Sequence, residues 1–118
     1  MHETSLMENI LATATSTLAP YNVKRVNEVS VIYGPLANII PSALEFAYEA
    51  LSENTVFEKA RFIMHRVPIE AECLDCNKSY EAEKVPFKCP YCGSNRFNIT
   101  GGTDVYLESI DFDDDDEI

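Results

Sequence analysis

The hydrophobic positions of this chain follow two rhythms. Met7, Ile10, Leu11, Ala14 and Leu18 recur at helical spacing and predict a helix with one stripe on a core, stopped near Pro20. Its start carries the pattern of a capping box. The Ser5 hydroxyl would accept from the Glu8 amide while the Glu8 carboxylate reaches back to the Ser5 amide. Several threonines weaken this helix, so packing must hold it. From Val23 the rhythm becomes two, with Val29, Val31 and Tyr33 on one face and Glu28, Ser30 and Ile32 on the other, until Gly34-Pro35 ends the strand. Residues 36 to 40 form a loop. Pro41 then suits the first turn of a second helix, where Leu44, Ala47, Tyr48 and Leu51 share a face as far as about Glu53. Glu45, Glu49 and Glu53 mark its solvated side. Residues 60 to 67 predict another strand, and residues 97 to 100 and 104 to 112 two more around Gly101-Gly102.

The segment between residues 67 and 97 breaks the pattern. Cys73, Cys76, Cys89 and Cys92 are the only cysteines, in two C-x2-C pairs twelve residues apart. Each pair can grip one ion from a tight turn while the residues between fold back as a hairpin, so four thiolates on one tetrahedral metal is the expected arrangement. Gly93 follows the second pair and Pro90 stiffens it. Two disulfides would need an oxidising compartment, and residues 1 to 20 have neither the basic start nor the apolar run of a signal peptide. A redox dithiol uses one C-x2-C at a helix start, not two pairs in a polar segment. Iron in a rubredoxin-like knuckle shares the donor set, and the short spacing favours zinc. A zinc with four protein ligands has no open position for catalysis. The fold class is therefore α+β: a small mixed sheet with two helices, plus a zinc-ribbon-like hairpin subdomain inserted between two strands of one sheet.

Charge narrows the partners. Twenty acidic against nine basic residues give a net charge of -11, which phosphate backbones repel. Lys78, Lys84, Lys88 and Arg96 are interleaved with acids, so nucleic acid is not expected. No apolar run is long enough to span a bilayer, so no membrane is expected either. Residues 111 to 117 hold six acids in seven positions and read as a solubilising tail.

There are two histidines. His65 falls in a strand and reads as a surface or packing residue. A histidine in position two, by contrast, puts a free α-amine, its own amide nitrogen and its imidazole within reach of one ion through fused chelate rings. That set suits square-planar Ni(II) or Cu(II) better than zinc, and Glu3 adds a carboxylate as a further ligand or as an orienter. The plainer alternative is a start methionine ahead of a helix cap, with Glu3 placed well for the helix dipole.

Met1-His2-Glu3 and Ser5, with the two C-x2-C pairs near the carboxyl end, resemble the HypA family of nickel metallochaperones for hydrogenase maturation over essentially the whole chain. Thr4 departs from the larger apolar or aromatic residue of that pattern, and residues 34 to 41 supply no carboxylate. The resemblance implies that His2 ligates nickel as transient cargo and that Cys73, Cys76, Cys89 and Cys92 hold structural zinc. It further implies a cytoplasmic, non-enzymatic protein passing nickel to a [NiFe]-hydrogenase large subunit with a HypB-type GTPase, with urease accessory proteins served by some relatives. The division expected is residues 1 to 70 and 99 to 112 for nickel, 71 to 98 for zinc, and 113 to 118 as a disordered acidic tail. Phe87, Tyr91 and Phe97 near the knuckles are expected to form a docking surface. The competing reading is a zinc-ribbon interaction module in which His2 plays no part.

Overall fold

The computed structural model describes residues 2 to 114, and of His2 only the backbone. The elements are α1 (His2–Leu18), β1 (Val23–Tyr33), α2 (Pro41–Ser52), β2 (Arg61–Arg66), β3 (Ile69–Cys73), β4 (Ser79–Ala82), β5 (Phe97–Gly101) and β6 (Val105–Asp114). The α+β class holds, with two three-stranded sheets, β2-β1-β6 and β4-β3-β5. The cysteine segment lies in the chain between β2 and β6, two strands of one sheet, as expected.

The chain forms two compact units. One contains the residues up to Val31, Ile39–His65 and those from Tyr106 on; the other contains Ile32–Asn38 and Arg66–Val105. The second is wider than the 71 to 98 read from the cysteines alone. Two short flanking strands and the loop after β1 join it, for reasons given below.

In the first unit, α1 buries Met7, Ile10, Ala14 and Leu18, the predicted stripe, while Leu11 stays half-buried. The capping box does not form. The helix begins at His2, so Ser5 lies inside its first turn with helical backbone, whereas a capping residue must sit outside the helix. Two of the threonines spend their hydroxyls on their own helix, Thr15 donating to the Leu11 carbonyl and Thr17 to that of Thr13, both at 2.8 Å. On α2, Leu44, Ala47 and Tyr48 are buried as expected, and Ser52 joins them rather than Leu51. Tyr48 stacks on Phe62 at 4.6 Å and donates its hydroxyl to the Phe57 carbonyl at 2.9 Å. Burial raises that phenol to about 12.

In β1, Val29 and Val31 are fully buried, and so is Ser30 on the opposite face. The Ser30 hydroxyl is satisfied by donating to Glu108 Oε1 at 2.8 Å, the same oxygen that lies 4.0 Å from the exposed His65 imidazole. The strand β6 runs two residues past its expected end. Arg25 on β1 donates to Asp113 at 2.8 Å and Asn27 to Asp111 at 3.1 Å, so the start of the acid run is paired. Residues 115 to 118, the rest of the expected tail, lie outside the described residues.

In the second unit, β3 alternates Ile69, Ala71 and Cys73 inward with Glu70 and Glu72 outward. It pairs antiparallel with β4 (Ala71 opposite Tyr80) and with β5 (Cys73 opposite Phe97), with an irregularity at Glu70/Ala71. The loop after β1 belongs here because its backbone is bonded here. The Gly34 amide donates to the Asp104 carbonyl, the Leu36 amide to that of Gly102, and the Val67 amide to that of Tyr33. Gly34 packs flat on Gly102: a Cβ at Gly34 would lie 2.2 Å from the Gly102 carbonyl oxygen. The two glycine signals that read in sequence as separate strand ends are one contact.

Backbone cannot yield as a flexible side chain can, so Gly34→Ala is expected to destabilise by about 1 to 3 kcal/mol, the usual range for overpacking. Thermal unfolding by circular dichroism should show the melting temperature fall by several degrees, while Ala37→Gly in the same loop does not reproduce the loss.

Candidate metal centre

The four cysteines are presented by two turns of the same design. In the first, the Asn77 amide donates to the Cys73 carbonyl at 3.0 Å and the Cys73 amide to the Lys78 carbonyl at 2.9 Å. In the second, sixteen positions on, the Gly93 amide donates to the Cys89 carbonyl at 2.8 Å and the Cys89 amide to the Ser94 carbonyl at 2.9 Å. Each turn closes through a residue of positive φ, Asn77 at 63° and Gly93 at 79°. Glycine takes that conformation freely and asparagine more readily than most residues. Each turn also aims amides at its first sulfur. Asp75 and Cys76 donate to Cys73 Sγ, and Tyr91 to Cys89 Sγ, all at 3.4 Å.

The sulfurs converge within 4.8 Å of one another. Cys73 Sγ lies 3.6 Å from that of Cys92, and Cys76 Sγ 3.7 Å from that of Cys89. These are not disulfide lengths, and all four thiols are free. A tetrahedron with metal–sulfur bonds of about 2.3 Å has edges of about 3.8 Å. The donor set therefore fits a structural zinc in both number and spacing. Among the described residues no carboxylate or imidazole joins the cluster, and four sulfurs are enough to fill a tetrahedron. Asp75 ties the turns together, accepting from the Ser94 hydroxyl and, at 2.7 Å, from Arg96. Arg96 and Asp75 are too exposed for this pair to contribute more than about 1 kcal/mol.

A small apolar cluster of Ala71, Cys73, Tyr80 and Cys89 backs the sulfurs, with Phe87 and Phe97 packed against it. These two rings stack on each other at 4.4 Å and Phe87 meets Tyr80 edge-on at 6.1 Å. Two of the three aromatics expected on a docking surface are thus half-buried against the unit's own cluster. Tyr91 remains exposed, with Lys78 Nζ 4.9 Å from its ring centre.

Without a metal the four thiols hold their protons unequally. The Cys76 amide, helped by that of Asp75, lowers Cys73 to about 6 against the effect of burial. Cys92 accepts an amide hydrogen bond from Ser94 that lowers it, but the thiols around it and burial push it up to about 12. Cys76 is raised as well, its Lys78 amide bond outweighed by burial and the Cys73 and Cys89 sulfurs. Burial raises Cys89, yet the amides of Cys92 and Tyr91 bring it down on balance. A divalent cation favours the thiolate at all four.

The second candidate site is the amino terminus. Met1 and the side chain of His2 lie outside the described residues. The backbone of His2 opens α1, and Glu3 sits in its first turn with Oε2 accepting from the Ile40 amide at 3.0 Å. That contact crosses thirty-seven positions to the start of α2, and no local sequence signal points to it.

Two outcomes are expected at the cysteine centre. Zinc binding to the metal-free protein at pH 7 should release at least two protons, one each from Cys76 and Cys92, read from calorimetry in buffers of different ionisation enthalpy. Asn77→Gly should keep zinc, whereas Asn77→Val, which resists positive φ, should destabilise the unit by about 1 to 3 kcal/mol and speed zinc transfer to a chromogenic chelator.

Comparison with known proteins places this geometry. Residues 1–112 match the family model described as hydrogenase/urease nickel incorporation, metallochaperone, HypA. The hydrogenase maturation factor HypA of Aquifex aeolicus (strain VF5) is 36% identical over 113 residues, covering 96% of this chain and 98% of its own length. That of Desulfitobacterium hafniense (strain DSM 10664 / DCB-2) is 33% identical, covering 97% and 100%. The solution structure of the Ni metallochaperone HypA from Helicobacter pylori superposes with a TM-score of 0.68 at 22% identity, over 93% of this chain and 96% of that one. A second solution structure of a HypA protein gives 0.71 at 24%, over 95% and 96%. The chain belongs to the HypA family of hydrogenase and urease nickel-incorporation metallochaperones.

Proposed function

We propose that this chain takes up Ni(II) through the α-amine of Met1 and the amide nitrogen and imidazole of His2, and passes it to the large subunit of a [NiFe]-hydrogenase. Glu3 stands beside this chelate. Cys73, Cys76, Cys89 and Cys92 hold zinc as a permanent part of the fold. The work is transfer, not catalysis, and belongs in the cytoplasm with a HypB-type GTPase as partner; urease accessory proteins are the alternative recipients.

The observation that carries this reading is where α1 begins. The first four amides of an α-helix have no acceptor within it, and His2 is the first residue of this one. Nickel can therefore displace the amide proton of His2 without breaking a helical hydrogen bond. A chelate buried deeper in the helix would unwind a turn. The described residues also include no helix long and apolar enough to cross a membrane, in keeping with a carrier that travels between proteins.

The test uses protein with its native first residue. Nickel should bind there, and adding one residue before Met1, or His2→Ala, should abolish binding while zinc content and circular dichroism stay unchanged. Imidazole and α-amine ordinarily hold their protons up to about pH 6.5 and about 7.7 to 8.0, so affinity should fall steeply from about pH 7.5 to 6. Equal binding by extended and native chains, or a flat profile across that window, would place the ligands elsewhere. A native chain indifferent to nickel would favour a plain zinc-ribbon interaction module.

A further inference from the structure

Each sulfur of the cysteine centre has a backbone donor. The amides of Asp75 and Cys76 point at Cys73 and that of Tyr91 at Cys89, while those of Lys78 and Ser94 serve Cys76 and Cys92. One polar atom beside them has no partner. Among the described residues, the only enclosed side-chain nitrogen or oxygen without a hydrogen bond is the Tyr80 hydroxyl. Tyr80 is 6% exposed, lies on β4 opposite Ala71 of β3, and shares its apolar cluster with Cys73 and Cys89. Its ring packs edge-on against Phe87 at 6.1 Å. A phenylalanine would supply that ring without an unmatched O–H, and buried polar groups nearly always have partners, so the hydroxyl calls for a reason.

The centre supplies one. Four thiolates around a divalent cation leave two negative charges in a half-buried place. Burial pushes the Tyr80 phenol above its ordinary value, and negative charge on Cys89, Cys73, Cys92 and Cys76 pushes it further, so the hydroxyl keeps its proton beside them. A phenol O–H turns about its C–O bond, and a hydroxyl dipole orients in the field around it. Resting on zinc as the occupant of the centre, we infer that Tyr80 is a positioning residue for the metal, its enclosed hydroxyl directing a dipole at the cage behind Cys73 and Cys89. It makes no hydrogen bond to a sulfur, so it acts through space on the charge of the whole cage rather than on one ligand. The low polarity of the surrounding cluster strengthens that interaction.

Tyr80→Phe keeps the ring and removes only the hydroxyl, and the two roles predict opposite signs. A stranded hydroxyl gives up its water when the hairpin folds around the metal, so removing it should tighten zinc binding by about tenfold. A hydroxyl that serves the cage should do the reverse. Zinc affinity, read by competition with a chromogenic chelator, should then fall by about tenfold in Tyr80→Phe, the lower end for groups that support metal ligands. Co(II) in place of zinc gives a second reading. Without the O–H dipole the thiolates release electron density more easily, so the sulfur-to-cobalt charge-transfer bands should move to longer wavelength. Tyr91→Phe, which removes a hydroxyl from an exposed ring near the same cage, should change neither reading. The inference is overturned if Tyr80→Phe binds zinc as tightly as the native chain or more tightly. It is overturned too if affinity falls while the cobalt bands stay in place, which would leave the hydroxyl a packing role alone. A native chain that takes up neither ion overturns the zinc centre and this inference together, whereas native binding with a silent Tyr80→Phe overturns the inference only.

Discussion

Four sulfur atoms drawn onto one cation hold together a part of this chain that has little else to hold it. The buried cluster around them consists of an alanine, a tyrosine and two of the cysteines themselves, with two phenylalanines leaning on it. So small a core buries too little apolar surface to offset the conformational entropy of ordering the segment, which is the usual reason for a structural metal. The strands β4 and β5 flank β3, and β3 ends on Cys73, so the sheet and the metal site share a residue. Folding of the hairpin and filling of the tetrahedron are one event.

The first unit is built on different physics. Its core is apolar and drawn from α1, β1 and α2, with Met7, Val29, Val31 and Leu44 fully buried. Among the described residues its buried side-chain polar groups have partners, Ser30 on Glu108 and Tyr48 on the Phe57 carbonyl. A permanent ion thus belongs to one unit, while the proposed cargo site lies at the first atoms of the other. A carrier needs this separation, because an ion on which folding depends cannot be given away, and an ion that is given away cannot hold a fold together.

Much of this was legible in the residue pattern, and the misses share a cause. The stripe of α1 and the apolar face of α2 are periodic signals set by burial, and burial is what the structure shows. The cysteine pairs were legible because metal geometry constrains their spacing. The Ser5–Glu8 box misled because it is a purely local signal: the helix starts at His2, with Glu3 anchored on a residue thirty-seven positions away. Distance also hid the pairing of Gly34 with Gly102, and the bonds of Arg25 and Asn27 that extend β6 into the acid run. The alternation of Ile69, Ala71 and Cys73 does not stand out in sequence, because so short a strand has no independent stability and reads as a lead-in to the cysteines.

The two turns that cradle the sulfurs share one backbone design but not one depth. Cys73 and Cys89 are sealed from water, Cys76 is halfway, and Cys92 is open. The cage therefore has a door. A competing chelator or an oxidant meets Cys92 before any other of the four sulfurs.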